Sequence, residues 1–298
     1  MITDFKCNRV FLSAKMASLC PKTYIGLTTI LDRHKIAWSL LDDTNDIWCR
    51  DFMPIQIVDN WFAGYTYYPD YLSDTEKHKK MITDGNRICR RLGYYVSPLI
   101  EDIIIDGGNV VKCEGKIIMT SKVFEENPQY TVSDLSKRIE NTLGAELIVI
   151  PWDVHEYFGH SDGICRYIGD NSVLMTNYSQ IDLEMANRIR KCLTPHFKEV
   201  YELKYQRIKP HKYSWAYINW LQTDKIIILP AFGIPEDIEA FEQIEEFIPY
   251  VDNYETADLI DPKIFRNRQP ELISVVDRWL RSDNNFEKAI AINTINRN

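Results

Sequence analysis

Four short segments of the sequence carry side chains whose types could do chemistry. They are Trp48-Cys49-Arg50-Asp51, Asp106-Gly107-Gly108-Asn109, Gly159-His160-Ser161-Asp162 and Leu229-Pro230-Ala231-Phe232-Gly233. His160 and Asp162 are two residues apart, so on an extended segment their side chains face the same way and could converge on one ligand. A metal ion is one such ligand, but zinc needs a third and a fourth protein or water ligand, and among the other histidines only His155 lies nearby. We therefore expect no metal site.

Each segment also has an explanation that involves no ligand. Asp51 and its neighbour Arg50 would form a surface ion pair. Asp106 would cap a turn in which Gly107 and Gly108 supply positive φ angles. What distinguishes the set is that these segments follow predicted strands, where a rigid scaffold usually presents functional groups.

The elements that must position these segments follow a repeating pattern. A predicted β-hairpin, an amphipathic helix and a further strand recur with a period of roughly 50–60 residues, which is typical of repeated supersecondary units. The hairpins are expected to turn at Asp59-Asn60, Gly115 and Thr223-Asp224. Strands are also expected at Ile103-Ile104-Ile105 and Tyr250-Val251, and helices at 75–92, 133–143, 183–192 and 236–247. No Pro/Gly/Ser-rich linker interrupts the pattern, so we expect a single domain.

Composition narrows the class of protein. The chain has 298 residues, 45% of them hydrophobic, and a formal net charge of -8. The acidic balance argues against a nucleic-acid surface and favours the approach of a cationic small molecule. Seven cysteines without a CxxC pair predict reduced thiols. No signal peptide or apolar run of about 20 residues is present, so we expect a cytoplasmic protein without a membrane partner.

Three of the four segments, in their order along the chain, resemble the recurring motifs of the agmatine deiminase and bacterial peptidylarginine deiminase family. They read Trp48-Cys49-Arg50-Asp51-Phe52-Met53-Pro54, Asp106-Gly107-Gly108-Asn109 and Gly159-His160-Ser161-Asp162. The resemblance continues through Tyr217-Ile218-Asn219-Trp220 and covers roughly residues 5 to 257. It implies the α/β propeller known as the pentein fold, with five ββαβ units around a pseudo-fivefold axis. We accordingly expect one domain over residues 1–257 and a divergent tail over residues 258–298.

The resemblance also implies roles for individual residues. Asp51 and Asp162 would grip the substrate guanidinium, which is planar and matches bidentate carboxylates. His160 would act as the acid and base, since the pKa of a histidine lies near neutral pH. Asp106 would support it as a second catalytic carboxylate. The remaining residues assigned to substrate binding are Trp48, Arg50 and Asn109, and no cofactor is implied.

The pattern breaks at the position of the nucleophile. In the family a cysteine follows a Gly-Gly pair shortly after the last strand, whereas residues 258–274 contain neither, and Cys192 is the last cysteine of the chain. Cys49 and Cys165 lie close to the motifs, but each alternates with a site residue and should point to the opposite face. Ser274 has no neighbouring base that could activate it.

Three functions stay open on these grounds. The first is an amidine hydrolase that releases ammonia from agmatine, arginine or peptidyl-arginine, with a place in putrescine biosynthesis if the substrate is agmatine. The second is a guanidinium-binding protein of the same fold without turnover. The third is an interaction protein with neither activity. Any of these could be a homo-oligomer.

Overall fold

Fourteen short strands form the sheets of the computed structural model, which describes residues 1–97, 102–205, 216–232, 236–248 and 254–255. In chain order they are β1 (Arg9–Ser13), β2 (Ala37–Leu41), β3 (Ile55–Val58), β4 (Trp61–Ala63), β5 (Tyr95–Ser97), β6 (Val111–Lys112), β7 (Lys116–Thr120), β8 (Glu146–Ile150), β9 (Cys165–Gly169), β10 (Ser172–Met175), β11 (Glu199–Glu202), β12 (Leu221–Gln222), β13 (Ile227–Ile228) and β14 (Tyr254–Glu255).

The strands form five small sheets. Four of them have three strands each, in the orders β3-β4-β5, β6-β7-β8, β9-β10-β11 and β12-β13-β14. In each of these sheets the first two strands are antiparallel and the third lies parallel to the second. The fifth sheet pairs β1 and β2 in parallel. A parallel pair needs a long crossover connection, and helices supply it in every sheet.

The helices are short where they border the site and longer where they cross over. They are α1 (Met16–Leu19), α2 (Pro21–Arg33), α3 (Cys49–Phe52), α4 (Asp70–Ser73), α5 (Glu76–Lys79), α6 (Gly85–Arg91), α7 (Lys122–Glu125), α8 (Val132–Leu143), α9 (Tyr178–Ile181), α10 (Leu183–Leu193) and α11 (Glu236–Phe247). Helix α8 shows how local sequence sets the ends. The side chain of Thr131 accepts a hydrogen bond from the Asp134 amide, and Gly144 closes the helix in the left-handed conformation.

Several expected elements differ in the structure. The single helix expected over residues 75–92 is wrong, because two capping residues each begin a separate helix. Thr75 caps α5 by accepting from the His78 amide, and Asp84 caps α6 by accepting from the Arg87 amide. The strand expected at 103–105 is reduced to one bridge between Thr66 and Ile104. The strand expected at 250–251 lies outside the described residues.

The core is divided among the sheets. Buried side chains form four clusters, each built where helices pack on a sheet or where neighbouring sheets meet. The cluster around Ile117 and Met119, for example, joins strand β7 to Phe52 of α3 and Leu135 of α8. No helix in the described part of the chain is both long and apolar enough to cross a membrane.

The connections between sheets carry the chemistry-bearing segments. Helix α3 links β2 to β3, residues 106–110 lie between β5 and β6, and residues 159–163 lie between β8 and β9. Each connection runs from the last strand of one sheet to the first strand of the next. The repeat therefore brings residues that are far apart in sequence into one place.

Candidate functional site

Asp51, Asp106 and His160 form the centre of the candidate site. One carboxylate oxygen from each aspartate and a ring nitrogen of His160 all lie within 4.8 Å of one another. The sequence motifs predicted a shared ligand for these segments, and the structure brings three of the named side chains together. Three such ligand atoms at this separation could also hold a divalent cation, although no metal site was expected.

The Asp51 carboxylate is the open member of this group. It is partly buried, and among the described residues no hydrogen bond or ion pair reaches its oxygens. Burial raises the pKa of Asp51 well above its ordinary value, and the nearby Asp106 carboxylate raises it further. A buried carboxylate without a partner is costly, so a cationic ligand would be stabilised strongly at this position.

Asp106 and His160 form a close ion pair. His160 Nε2 lies 2.9 Å from Asp106 Oδ2, and the Tyr71 hydroxyl donates a hydrogen bond to the same oxygen. The other oxygen of Asp106 accepts from the Gly108 amide at 3.0 Å. Burial opposes the charge of His160, but the contact with Asp106 outweighs it and raises the pKa of His160 to about 10. The imidazole is therefore an imidazolium at neutral pH, a form that can donate a proton.

Two glycines make this packing possible. A Cβ at Gly107 would collide with the carbonyl oxygen of Arg50, and a Cβ at Gly108 would collide with the ring of His160. Neither glycine has a positive φ, so the turn geometry expected for this segment is wrong in that respect. The capping role expected for Asp106 is present. Because both residues lack a side chain, the backbone can approach the Arg50 carbonyl and the His160 ring closely.

Asp162 is buried beside the centre of the site but engages other groups. Its Oδ2 lies 2.9 Å from Arg50 Nε, and Asn219 Nδ2 donates to its Oδ1 at 3.4 Å. Burial raises the pKa of Asp162, while Arg50 and His160 act to lower it. Asp162 thus neutralises Arg50, and a ligand that used both Asp51 and Asp162 would share the second carboxylate with this arginine.

Arg50 connects the site to a network of charged side chains around Asp4. Its Nη1 lies 3.4 Å from Asp4 Oδ2, and its Nη2 donates to the Val110 carbonyl at 2.7 Å. Lys112 Nζ and Arg166 Nη2 also contact the Asp4 carboxylate, at 2.8 and 2.6 Å. Burial opposes the charge of Asp4, but the three cations lower its pKa well below the ordinary range. A cavity of about 420 Å³ lies on this side of Arg50, and Asp51, Asp106 and His160 do not line it.

The other two residues assigned to substrate binding lie differently. Trp48 begins α3 with a side chain that is 62% exposed, and its carbonyl accepts from the Asp51 amide. The Asn109 side chain is buried and pairs with the backbone of Thr120, accepting from its amide at 2.7 Å and donating to its carbonyl at 3.4 Å. Asn109 therefore ties the connection over residues 106–110 to strand β7. The side chain of Trp48 is exposed to solvent.

The two cysteines beside the motifs lie outside this centre. Cys165 is fully buried in the core cluster around Ile148 and Tyr167, and burial raises the pKa of its thiol. Cys49 packs against the core cluster around Phe52, and burial raises its pKa to about 12. Both thiols are therefore protonated at neutral pH, and a thiol is a poor nucleophile in that form.

Two contributors to the site carry no sequence motif. Tyr71 donates to Asp106, and Lys122 packs beneath Tyr71 with its ammonium 5.3 Å from the ring centre. Neither residue stands in a recurring pattern.

The sequence matches two known protein families. A sequence model described as Porphyromonas-type peptidyl-arginine deiminase matches residues 23–254, and a model described as DNA alkylation repair enzyme matches residues 226–297. The agmatine deiminase of Pseudomonas aeruginosa strain LESB58 is 22% identical over 259 residues, which covers 69% of this chain and 68% of that protein.

Solved structures share the fold. The agmatine deiminase of C. jejuni superposes with a TM-score of 0.64 at 15% identity, covering 90% of this chain and 92% of the other. That of Enterococcus faecalis superposes with a TM-score of 0.64 at 14% identity, covering 87% and 91%. The described strands and helices are accordingly a mixed α/β fold of the agmatine deiminase type. Because the peptidyl-arginine deiminase match spans most of the sequence, the chain belongs to the Porphyromonas-type peptidyl-arginine deiminase family.

Proposed function

We propose that this protein is a deiminase-type hydrolase whose site takes the guanidinium group of a small cationic compound such as agmatine. The single observation that supports it best is the Asp51 carboxylate, which is open to a ligand and lies beside the Asp106–His160 pair. A guanidinium is permanently charged and donates parallel hydrogen bonds to a carboxylate, so it suits this position better than any neutral group.

The reaction would replace a terminal amino group of the guanidinium with oxygen. The oxygen of a water molecule bonds to the guanidinium carbon, the bond between that carbon and one terminal nitrogen breaks, and the nitrogen leaves as ammonia. A ureido group remains, and a proton of the water replaces the one that His160 gives up. His160, protonated at neutral pH, would give its proton to the departing nitrogen. Asp106 would hold the imidazolium in place and Asp51 would hold the substrate. With agmatine the product is a carbamoyl derivative of putrescine, a step toward putrescine synthesis.

The proposal extends to the architecture. Four sheets with the same strand order and a fifth parallel pair support five ββαβ-type units around a pseudo-fivefold axis, within one domain over residues 1–257. The tail expected over residues 258–298 lies outside the described residues.

Turnover is tested by incubating the purified protein with agmatine, arginine or an arginyl peptide and measuring ammonia and ureido product. We expect ammonia release that disappears in His160→Asn and in Asp51→Asn. Lys198→Met is a matched control, because Lys198 forms an exposed ion pair with Asp170 and lies on another part of the surface. Ammonia release no faster than in buffer with every substrate would contradict the hydrolase.

A second candidate function is guanidinium binding without turnover. One observation favours it: Cys49 and Cys165, the thiols beside the motifs, are protonated at neutral pH and packed into the core clusters. Loss of a nucleophile that works with its base costs on the order of a million-fold in rate, whereas carboxylate binding does not depend on it. Calorimetry separates the two candidates, because binding of agmatine that Asp51→Asn abolishes, without ammonia release, supports the second.

A further inference from the structure

Lys122 is the most completely buried lysine among the described residues, and it lies one layer behind the candidate site. Only 2% of its side chain is exposed. It opens α7 directly after strand β7, so its backbone is fixed by the sheet. A lysine ammonium is costly to bury unless several groups compensate its charge. Glu126 of the same helix lies 3.8 Å from the ammonium, and the Trp152 ring faces it at 5.4 Å. The other compensating groups belong to two different segments of the site.

The first segment is the start of α4. Lys122 Nζ lies 2.8 Å from Asp70 Oδ1, and that oxygen also accepts from the amide of Tyr71. The ammonium stands 5.3 Å from the centre of the Tyr71 ring, a cation–π distance. Tyr71 is the residue whose hydroxyl donates to Asp106. The position of Lys122 thus limits where the Tyr71 side chain can lie.

The second segment is the chain that leads into His160. Lys122 Nζ donates to the carbonyl of Phe158 at 3.1 Å and to that of Tyr157 at 3.5 Å. Gly159 packs directly on the aliphatic stem of Lys122, and a Cβ there would collide with it. The segment has little regular structure between β8 and the turn at His160. The Glu156 carboxylate accepts from the amides of Phe158, Gly159 and His160, and the contacts with Lys122 add a second restraint from outside the segment.

We propose that Lys122 is a positioning residue that holds Tyr71 and His160 together on the Asp106 carboxylate. Both partners of Asp106 Oδ2 come from segments that the single ammonium joins. Lys122 touches neither Asp106 nor any reacting atom, and it acts through the two segments. The inference builds on the proposed role of His160, but its main readout is made on the protein without substrate.

The test is the pKa of His160, measured by NMR on labelled protein in the wild type and in Lys122→Met. Removing a nearby positive charge would by itself raise the pKa of His160, since cations disfavour the imidazolium. Loss of positioning has the opposite sign, because a looser contact with Asp106 lowers the pKa toward its ordinary value. We expect a fall of about one unit or more. The other charged groups that act on the imidazole are Asp51 and Asp162, and the Glu156 carboxylate accepts from the His160 amide. The variant leaves all three in place.

Asp70→Asn keeps the test valid if Lys122→Met fails to fold. The Asp70 side chain is 62% exposed, so this substitution should leave the core intact while weakening the contact between Lys122 and α4. Loss of the Asp70 charge lowers the pKa of His160 by electrostatics alone, so the diagnostic measurement on this variant is amide exchange. We expect faster amide exchange over residues 155–160. The control Lys198→Met should change neither the His160 pKa nor this exchange. An unchanged or raised His160 pKa in a folded Lys122→Met protein, or unchanged amide exchange over residues 155–160 in Asp70→Asn, would overturn the inference, whatever the outcome of the ammonia assay.

Discussion

The charges of this protein are distributed over two neighbouring regions that are built in opposite ways. Around Asp4, one carboxylate receives three cations, and its pKa is lowered by them. Around Asp51, three carboxylates face one imidazolium and one arginine, and the pKa values of Asp51 and Asp162 are raised. Every cation of the first region contacts the Asp4 carboxylate, whereas among the described residues no cation forms an ion pair with the Asp51 carboxylate. Arg50 touches both, since it contacts Asp4 and Asp162.

We interpret the charges around Asp4 as structural and the charges around Asp51 as part of a binding site. A network in which each charge has a partner stabilises only the arrangement that contains it. A region that lacks a counter-charge is destabilising until a ligand brings one, which is common at functional sites. Neutralising Asp4 and neutralising Asp51 should therefore have opposite effects on stability.

The largest effect is expected at Asp4. Asp4→Asn removes the common partner of Lys112, Arg166 and Arg50 and leaves these cations close together. We expect the free energy of unfolding to fall by about 3 kcal/mol, as measured by urea denaturation. Asp170→Asn is the control, because its partner Lys198 is exposed and such pairs contribute less than about 1 kcal/mol. Equal losses in the two variants would mean that the Asp4 network is not a structural unit.

At Asp51 the expected effect is on binding. Asp51→Asn removes the open carboxylate, and the dissociation constant of agmatine should rise roughly 30-fold, equivalent to about 2 kcal/mol for a charged hydrogen-bonded contact. The same variant should unfold at an equal or higher temperature, because burial and the Asp106 carboxylate disfavour the charged form of Asp51 in the folded protein. Calorimetric titration and thermal unfolding measure the two effects. A fall in both affinity and melting temperature would place Asp51 in the structural class with Asp4.

A smaller effect should appear in the pH dependence of stability at His160. The pKa of His160 is raised to about 10 in the folded protein, above the ordinary value of about 6.5. The folded state therefore binds the proton more tightly, and this contribution is fully present below pH 6.5 and is lost as the pH rises through about 10. The wild type should be more stable than His160→Gln by at least about 1 kcal/mol at pH 6.5. The difference should shrink steadily toward pH 10, and a constant difference would show that the charge of His160 does not matter.

Much of the fold could be anticipated because its signals are local. Hairpins turned at Asp59-Asn60 and Gly115 were visible from turn residues between β-rich runs, and the structure contains both. The break between α5 and α6 was missed because hydrophobic periodicity alone extends through Asp84, while the cap there depends on one side-chain hydrogen bond. Helix α2 was not anticipated either, since it begins at a proline without a strong cap.

The site was predictable only where the motifs contained it. Asp51, Asp106 and His160 lie together as the order of the motifs indicated. The pairing of Asp162 with Arg50 could not be read from spacing, because many partners are available to a charged residue and tertiary packing chooses among them. Lys122 contacts Asp70 and Phe158, which are distant in sequence, so no local pattern could have shown its position.

The placement of the site residues on the connections between sheets has a consequence for how such a protein can change. Asp51, Asp106 and His160 each come from a different connection, and the hydrogen-bonded ladders of the sheets do not include them. A connection can therefore gain or lose a reactive side chain while the strands that frame it keep their register. A lineage built on this plan can vary its chemistry one connection at a time, retaining the ability to hold a ligand after one reactive group has been replaced.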